Sequence, residues 1–199
     1  ITDWVAYHAI ATPDGIAVAT TDGEASYAQL ETMADRIADT LVAAGVGVGD
    51  RIGFGAKRQI ETIVAMLAAL KVGAAFVPLH LDEPGTRLAA MTTQAGVTII
   101  LAAGGDVELP GVEVLDLFAL LSATKAEVRP RVPVQNRPDA LAYVMFTSGS
   151  SGQPKGVCVE HGQMMSYVTS LLDVLDLQAS CRFSATGRLS WDHPYSCVF

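Results

Sequence analysis

The sequence predicts an α/β fold, in which layered mixed or parallel sheets are flanked by helices. Two observations lead to this class. Apolar segments with strand character alternate along the chain with amphipathic segments long enough to be helices. In addition, residues 97–102 form a continuous apolar run, which is typical of a strand buried on both faces of a parallel sheet.

The composition and charge of the chain argue against nucleic acid and membranes as partners. The chain has 199 residues, of which 50% are hydrophobic and 17% charged, so it can bury the core of one large domain or two small ones. Its 13 Lys and Arg residues against 21 Asp and Glu residues give a net charge of −8, which argues against nucleic acid as a partner. The uncharged runs are shorter than the roughly 20 apolar residues that span a bilayer, so no membrane association is expected.

The cysteines point to a reducing compartment. Cys158, Cys181 and Cys197 form no CxxC pair, and no basic and apolar leader opens the chain. We therefore predict neither a disulfide framework nor a zinc site, and expect a cytoplasmic location. Cys158 alternates with Val157 and Val159, so we expect it to be a core residue of a strand.

The first strong helix signal begins at Ser26, which forms the pattern of a capping box with Gln29. Gly45, Gly47 and Gly49 follow this helix and precede a strand, the reverse of the order in a dinucleotide-binding turn, so we interpret them as a helix stop and a turn. The predicted apolar face of the helix consists of Leu30, Met33, Ala34, Ile37, Leu41 and Val42.

The middle of the chain alternates strands with helices. Strands are predicted over residues 51–54, 74–79, 97–102 and 112–115. Helices are predicted over 58–72 and from Pro84 to about residue 94, because proline suits the start of a helix. The predicted buried stripe of the helix over 58–72 consists of Ile60, Ile63, Val64, Leu67 and Leu70.

A connection divides the chain. Residues 125–138 contain three prolines and three arginines, which mark an exposed segment. After it come a β-rich run over 141–146, a polar glycine loop, a second β-type run over 156–159 and a helix over 161–175. We therefore distinguish a first α/β portion (1–124), the connection (125–138) and a portion that carries the loop (139–199).

The loop over residues 147–156 carries the clearest chemical signal. Its sequence, TSGSSGQPKG, combines hydroxyl side chains, three glycines and one lysine. Phosphate binding needs these groups, because backbone N–H groups must come close and hydroxyls and a cation must donate. A P-loop has adjacent Gly-Lys followed by a helix, whereas here Pro154 precedes Lys155 and disfavours helix at Gln153. We predict a strand–loop–strand phosphate cradle. The alternative, a flexible linker, fits poorly between two apolar β-type runs.

Phe146 and residues 147–156 together resemble the signature loop of the adenylate-forming, or AMP-binding, enzyme superfamily. This superfamily includes acyl-CoA synthetases, luciferases and the adenylation domains of nonribosomal peptide synthetases. Residues 70–79 resemble the second core motif of those adenylation domains, although His80 and Leu81 stand where Asp-Pro is usual, and residues 26–30 resemble the first. The resemblance implies the N-terminal part of the large subdomain of such an enzyme.

The resemblance also implies roles for individual residues. Those expected to bind the phosphates of ATP are Thr147, Ser148, Gly149, Ser150, Ser151, Gly152 and Lys155, with Lys155 also catalytic. Trp191 and Asp192 resemble the fourth core motif, in which the aspartate pairs with the α-ammonium of the substrate. Such a carboxylate lowers the cost of desolvating a cation. His193 and Ser196 match positions that line the side-chain pocket, although their neighbours depart from the motif. Without the resemblance, Asp192 would be interpreted as a helix N-cap.

The implied activity is ATP-dependent activation of an amino acid to an aminoacyl-AMP with release of pyrophosphate. Transfer to the phosphopantetheine thiol of a carrier protein would follow. The resemblance further suggests Mg²⁺ with ligands outside this chain, and a condensation domain and an MbtH-like protein as partners. Because the adenine, ribose and magnesium sites of the family lie downstream of the fourth motif, we expect the 199 residues alone to be inactive. A fatty- or aryl-acid CoA ligase and a non-catalytic truncated interaction module remain alternatives.

Several other residues receive structural interpretations. His161 stands where the family has a histidine after the loop, and we expect it to hold the local fold. His8 and His80 lack the spacing of metal ligands, so no metal site is predicted from them. The methionines expected in the core, because they lie at helical spacing, are Met91, Met164 and Met165.

Overall fold

The computed structural model describes residues 1–55, 59–104, 108–123, 134, 136–148 and 154–175. These residues form six helices and eight strands. The helices are α1 (Thr2–Ala11), α2 (Tyr27–Ala43), α3 (Ile60–Lys71), α4 (Gly85–Ala95), α5 (Leu117–Ser122) and α6 (His161–Leu175). The strands are β1 (Ile16–Thr20), β2 (Gly23–Ser26), β3 (Arg51–Gly55), β4 (Ala75–Leu79), β5 (Ile99–Ala102), β6 (Glu113–Asp116), β7 (Leu141–Ser148) and β8 (Pro154–Glu160).

Six of the strands form one sheet in the order β6-β5-β3-β4-β7-β8. Neighbours from β6 to β7 are parallel, and β8 returns antiparallel to β7. β1 and β2 form a separate antiparallel pair. The predicted class, a mixed and largely parallel sheet with flanking helices, is confirmed.

Helices cover both faces of the sheet, which explains why its central strands are apolar on both sides. Phe76 of β4 packs into the cluster formed with α2 and α3, and the next residue, Val77, packs into the cluster formed with α4. A Cβ at Gly53 would stand 2.9 Å from Ile100 Cγ1 and 3.0 Å from Leu79 Cδ1, so a larger residue in β3 would force these side chains to shift.

The helix α2 begins with the predicted capping box. The backbone N–H of Gln29 donates to the Ser26 hydroxyl at 3.3 Å, and the backbone N–H of Ser26 donates to Gln29 Oε1 at 2.9 Å. Just beyond the helix, Gly45 has a φ of 86°, which is the left-handed region favoured by glycine. Both predicted ends of the helix are confirmed.

The assignment of Val42 to the apolar face of α2 is wrong. Val42 is 51% exposed, whereas Leu41 is fully buried. Consecutive helical residues are about 100° apart, so Val42 turns away from the stripe that ends at Leu41. Ala38 occupies the buried position that the sequence analysis did not assign.

The helix α3 is buried over its whole circumference from Thr62 to Leu70, not along one stripe as predicted. The sheet covers one side of α3 and α2 the other, so its apolar residues have no solvent side. At its end, Lys71 Nζ pairs with Asp35 Oδ1 of α2 at 3.0 Å and with the carboxylate of Glu31.

Four elements were not predicted: α1, the strands β1 and β2, and α5. α1 contains no fully buried residue, so its sequence shows no clear apolar period. Thr21 and Asp22 form the turn between β1 and β2, and the Asp-Gly dipeptide at 22–23, which is typical of hairpins, could have revealed this pair. α5 begins at Asp116, whose carboxylate accepts hydrogen bonds from the backbone N–H groups of Phe118 and Ala119 at 2.8 and 3.2 Å.

Within the described ranges, no helix combines the length and the apolar character needed to cross a bilayer.

Candidate active site

The two β-type runs around the glycine loop form a hairpin. β7 and β8 pair antiparallel from Leu141 opposite Glu160 to Ser148 opposite Pro154. The two predicted strands, over 141–146 and 156–159, are present, and each extends two residues further into the predicted loop. Residues 149–153, the tip of the predicted cradle, lie outside the described residues.

The loop end of this hairpin lies at the edge where the parallel strands finish. β7 runs parallel to β4, with Tyr143 opposite Phe76, so Ser148 lies towards the carboxyl ends of β3, β4 and β5. The rings of Phe76 and Tyr143 stack with centroids 5.2 Å apart and tie the two strands together. Open α/β sheets bind ligands at this edge.

Two of the predicted phosphate-binding residues face each other at the base of the loop. Thr147 pairs directly with Lys155, and directly paired residues share one face of the hairpin. The Thr147 hydroxyl donates to the backbone carbonyl of Lys155 at 3.5 Å, and Lys155 is exposed. A hydroxyl and an ammonium on one accessible face can both donate to phosphate oxygens. The backbone of Ser148 ends β7 beside them.

The next pair down the hairpin joins Phe146 to Gly156. A Cβ at Gly156 would stand 3.2 Å from Val144 Cγ1 and 3.4 Å from Phe146 Cε1, so the aromatic ring lies over the glycine. Phe146 is half-buried and packs against the core cluster on the α4 side of the sheet. From the sequence, Phe146 was assigned only to the motif and to no role.

His161 lies at the other end of the hairpin, where β8 passes into α6. Its backbone N–H donates to the Ala140 carbonyl at 2.9 Å, and the N–H of Gly162 donates to the Pro138 carbonyl at 2.7 Å. The side chain is 9% exposed, and among the described residues Nε2 has no hydrogen-bond partner. Burial lowers the pKa of the imidazole from its ordinary value and so favours the neutral ring.

A cavity of about 580 Å³ adjoins His161 and is also lined by Trp4, Leu70, Asn136 and Met165. The Asn136 side chain donates to the Leu70 carbonyl at 3.0 Å across this space. The cavity lies near the amino end of β7, whereas the phosphate loop lies at its carboxyl end. It is therefore a separate feature from the candidate active site.

The remaining predicted site residues are not placed. Gly149, Ser150, Ser151 and Gly152 of the loop lie outside the described residues, as do Trp191, Asp192, His193 and Ser196 of the amino-acid pocket. Their roles stay predictions. Among the described residues, no group of three or more His, Cys, Asp and Glu side chains could hold a metal ion.

The prediction that Cys158 is a core residue is wrong. Cys158 is exposed, although its cross-strand partner Val144 is only 4% exposed. β8 is the last strand in the sheet order, and alternation along a strand cannot show whether a neighbour covers it. By contrast, Met91 and Met164 are buried as predicted, and Met165 is half-buried.

Comparison with known proteins identifies the family. The AMP-binding enzyme family matches residues 5–199. Phenyloxazoline synthase MbtB of Mycobacterium tuberculosis is 37% identical over 189 residues, which are 94% of this chain and 13% of that protein. The chain therefore spans a small part of this relative.

Solved structures agree with the match. The nonribosomal peptide synthetase FmoA3 superimposes with a TM-score of 0.89 at 30% identity, over 100% of this chain and 21% of that one. FmoA3 has also been solved with α-methyl-L-serine-AMP bound. NpsA-ThdA of Klebsiella oxytoca, an artificially fused adenylation–PCP di-domain, shares the fold, with a TM-score of 0.86 at 20% identity over 99% of this chain and 40% of that one. The chain belongs to the AMP-binding enzyme family, and its relatives are the adenylation domains of nonribosomal peptide synthetases.

Proposed function

We propose that this chain forms part of an adenylation domain that uses ATP to activate an amino acid as its aminoacyl-AMP. The observation that carries the proposal is the β7–β8 hairpin, which presents Thr147 and Lys155 on one face at the carboxyl edge of a parallel sheet. This is the edge at which α/β enzymes bind nucleotides.

In this reaction the substrate carboxylate attacks the α-phosphate of ATP, and pyrophosphate leaves. Catalysis of such a transfer depends on positioning and on stabilising charge. The loop over 147–152 would hold the β- and γ-phosphates through hydroxyl and N–H donors. Lys155 would add a positive charge next to the leaving pyrophosphate, where negative charge increases.

We further propose that Asp192 pairs with the α-ammonium of the amino acid, that Trp191 packs near the nucleotide, and that His193 and Ser196 line the side-chain pocket. A buried aspartate in that role would select amino acids over acids that lack the amine, because an unpaired carboxylate is costly in a closed site. The resemblance of residues 191–192 to the fourth core motif supports this assignment.

The second half-reaction would pass the aminoacyl group to the phosphopantetheine thiol of a carrier protein in the cytoplasm. Peptide synthetases among the relatives support a carrier as the partner. A condensation domain and an MbtH-like protein remain proposals that rest on the resemblance alone. Mg²⁺, which neutralises phosphate charge, would take its ligands from outside this chain. We also propose that the 199 residues by themselves do not complete the reaction.

The direct test is ATP–pyrophosphate exchange by the full-length product of the gene that encodes this chain. We expect exchange that depends on one amino acid from a panel of standard and nonstandard amino acids. Asp192→Ala should raise the KM for that amino acid at least about tenfold and leave the KM for ATP within about twofold, because only the amine contact is lost. Asp14→Ala, on an exposed turn, is the matched control.

Two results would contradict the proposal. Exchange that depends on a fatty or aryl acid, with CoA thioester formation and no effect of Asp192→Ala, would favour the CoA ligase. Absence of both exchange and nucleotide binding would favour the non-catalytic module.

A further inference from the structure

Among the described residues, the pair of the β7–β8 hairpin nearest the loop contributes few backbone hydrogen bonds. This pair joins Ser148 to Pro154, and proline has no N–H to donate. The pair below it, Thr147 with Lys155, adds a side-chain hydrogen bond of 3.5 Å, which is at the outer limit for such a bond. The third pair from the loop, Phe146 with Gly156, adds side-chain packing across the two strands.

Gly156 destabilises β8, and the packing against it offsets this loss of stability. Glycine gives a strand no side chain to pack and leaves its backbone more freedom than any other residue. Here Val144 and the Phe146 ring fill the space together: Val144 Cγ1 stands 3.2 Å, and Phe146 Cε1 and Cζ stand 3.4 and 3.5 Å, from the position that a Cβ would take. An aromatic side chain that covers a glycine across an antiparallel pair pins the register of that pair.

Phe146 also connects the base of the loop to the parallel sheet. It packs against a cluster that includes Val77 and Leu79 of β4 and Met91 of α4. Met145, the preceding residue, points into the other cluster, on the α3 side of the sheet. Met145 and Phe146 are adjacent in the sequence, but of these two only Phe146 lies against Gly156.

We infer that Phe146 is a positioning residue for the phosphate loop: its ring, held over Gly156, fixes the register and separation of β7 and β8 at the loop. Thr147 and Lys155 then face the same ligand. A slip of one residue in either strand would turn its member of this pair to the opposite face. The inference rests on the proposed function, because it assumes that these two residues bind the phosphates of ATP.

The test compares Phe146→Leu with Phe146→Tyr in ATP–pyrophosphate exchange by the full-length gene product. Leucine keeps an apolar side chain but removes the flat ring, so we expect the KM for ATP to rise about tenfold while the KM for the amino acid stays within about twofold. Tyrosine keeps the ring and should restore the KM for ATP to within about twofold. Met145→Leu, a substitution at the 3% exposed neighbour on the other face, is the matched control and should leave both constants unchanged.

The role is refuted if Phe146→Leu leaves the KM for ATP within about twofold, or if Met145→Leu raises it as much. Either result, with an active wild type, overturns this inference and leaves the proposed function intact. A wild type inactive with every amino acid overturns the proposed function first. If Phe146→Leu does not fold, Phe146→Met takes its place under the same criteria, because methionine fills the volume without a ring.

Discussion

Lys155 is the only cation among residues 147–156, in a chain whose net charge is −8. An anionic nucleotide gains little from the overall field of such a chain, so local donors must supply the attraction. The hairpin provides them by setting the exposed Lys155 opposite the Thr147 hydroxyl. At the scale of residues, phosphate binding therefore depends on which donor side chains share one face of the hairpin.

Substitution of Lys155 tests this view. We predict that Lys155→Ala raises the KM for ATP about fivefold and changes kcat less than about threefold, because an exposed ion pair contributes only about 1 kcal/mol. Lys155→Arg keeps the charge and should recover most of the affinity. Steady-state exchange kinetics on the full-length product measure both. An unchanged KM in Lys155→Ala would remove Lys155 from the phosphate site.

His161 predicts a pH dependence of stability. Burial lowers the pKa of its imidazole in the folded state. At a pH between the folded-state and the unfolded-state pKa, the unfolded chain therefore binds a proton that the folded chain does not. Stability then falls as the pH drops below the ordinary histidine pKa of about 6.5.

Protection factors from amide hydrogen exchange in α6 measure the effect. Between about pH 7.5 and about pH 5.5, the wild type should lose more protection than His161→Gln, which cannot titrate. Parallel losses in the two proteins would show that His161 does not contribute.

At the scale of elements, the sequence predicts best those segments whose signals are local. α2 shows its start in the Ser26 capping box and its end at Gly45, and α6 spans residues 161–175 as predicted. α1 was not predicted because none of its residues is fully buried, so its sequence shows no apolar face. Cys158 was misplaced because alternation gives the face of a strand but not what covers it.

The capping box provides a quantitative prediction at this scale. Ser26→Ala should lower the free energy of unfolding by about 1 kcal/mol, since it leaves the Gln29 N–H without its side-chain acceptor. Ser170→Ala is a matched control, because that exposed hydroxyl only donates to the Ser166 carbonyl within α6. Urea titration of the full-length product compares them. Equal effects of the two substitutions would mean that the cap does not stabilise α2.

At the scale of the whole molecule, strand order is what the sequence could not supply. β4 and β7 are neighbours although Phe76 and Tyr143 are separated by a long stretch of chain. Propensity and periodicity act over a few residues and carry no information on such pairing. The composition of the phosphate loop was therefore readable, but its position at the carboxyl edge of the sheet required the fold.

The central claim is that the loop between β7 and β8 binds the phosphates of ATP. Hydrogen exchange measured by mass spectrometry on the full-length product, with and without MgATP, tests where the nucleotide binds. We predict slower exchange in peptides that cover residues 145–156 and no change in those that cover residues 2–26. Slower exchange elsewhere, with none at 145–156, would contradict it.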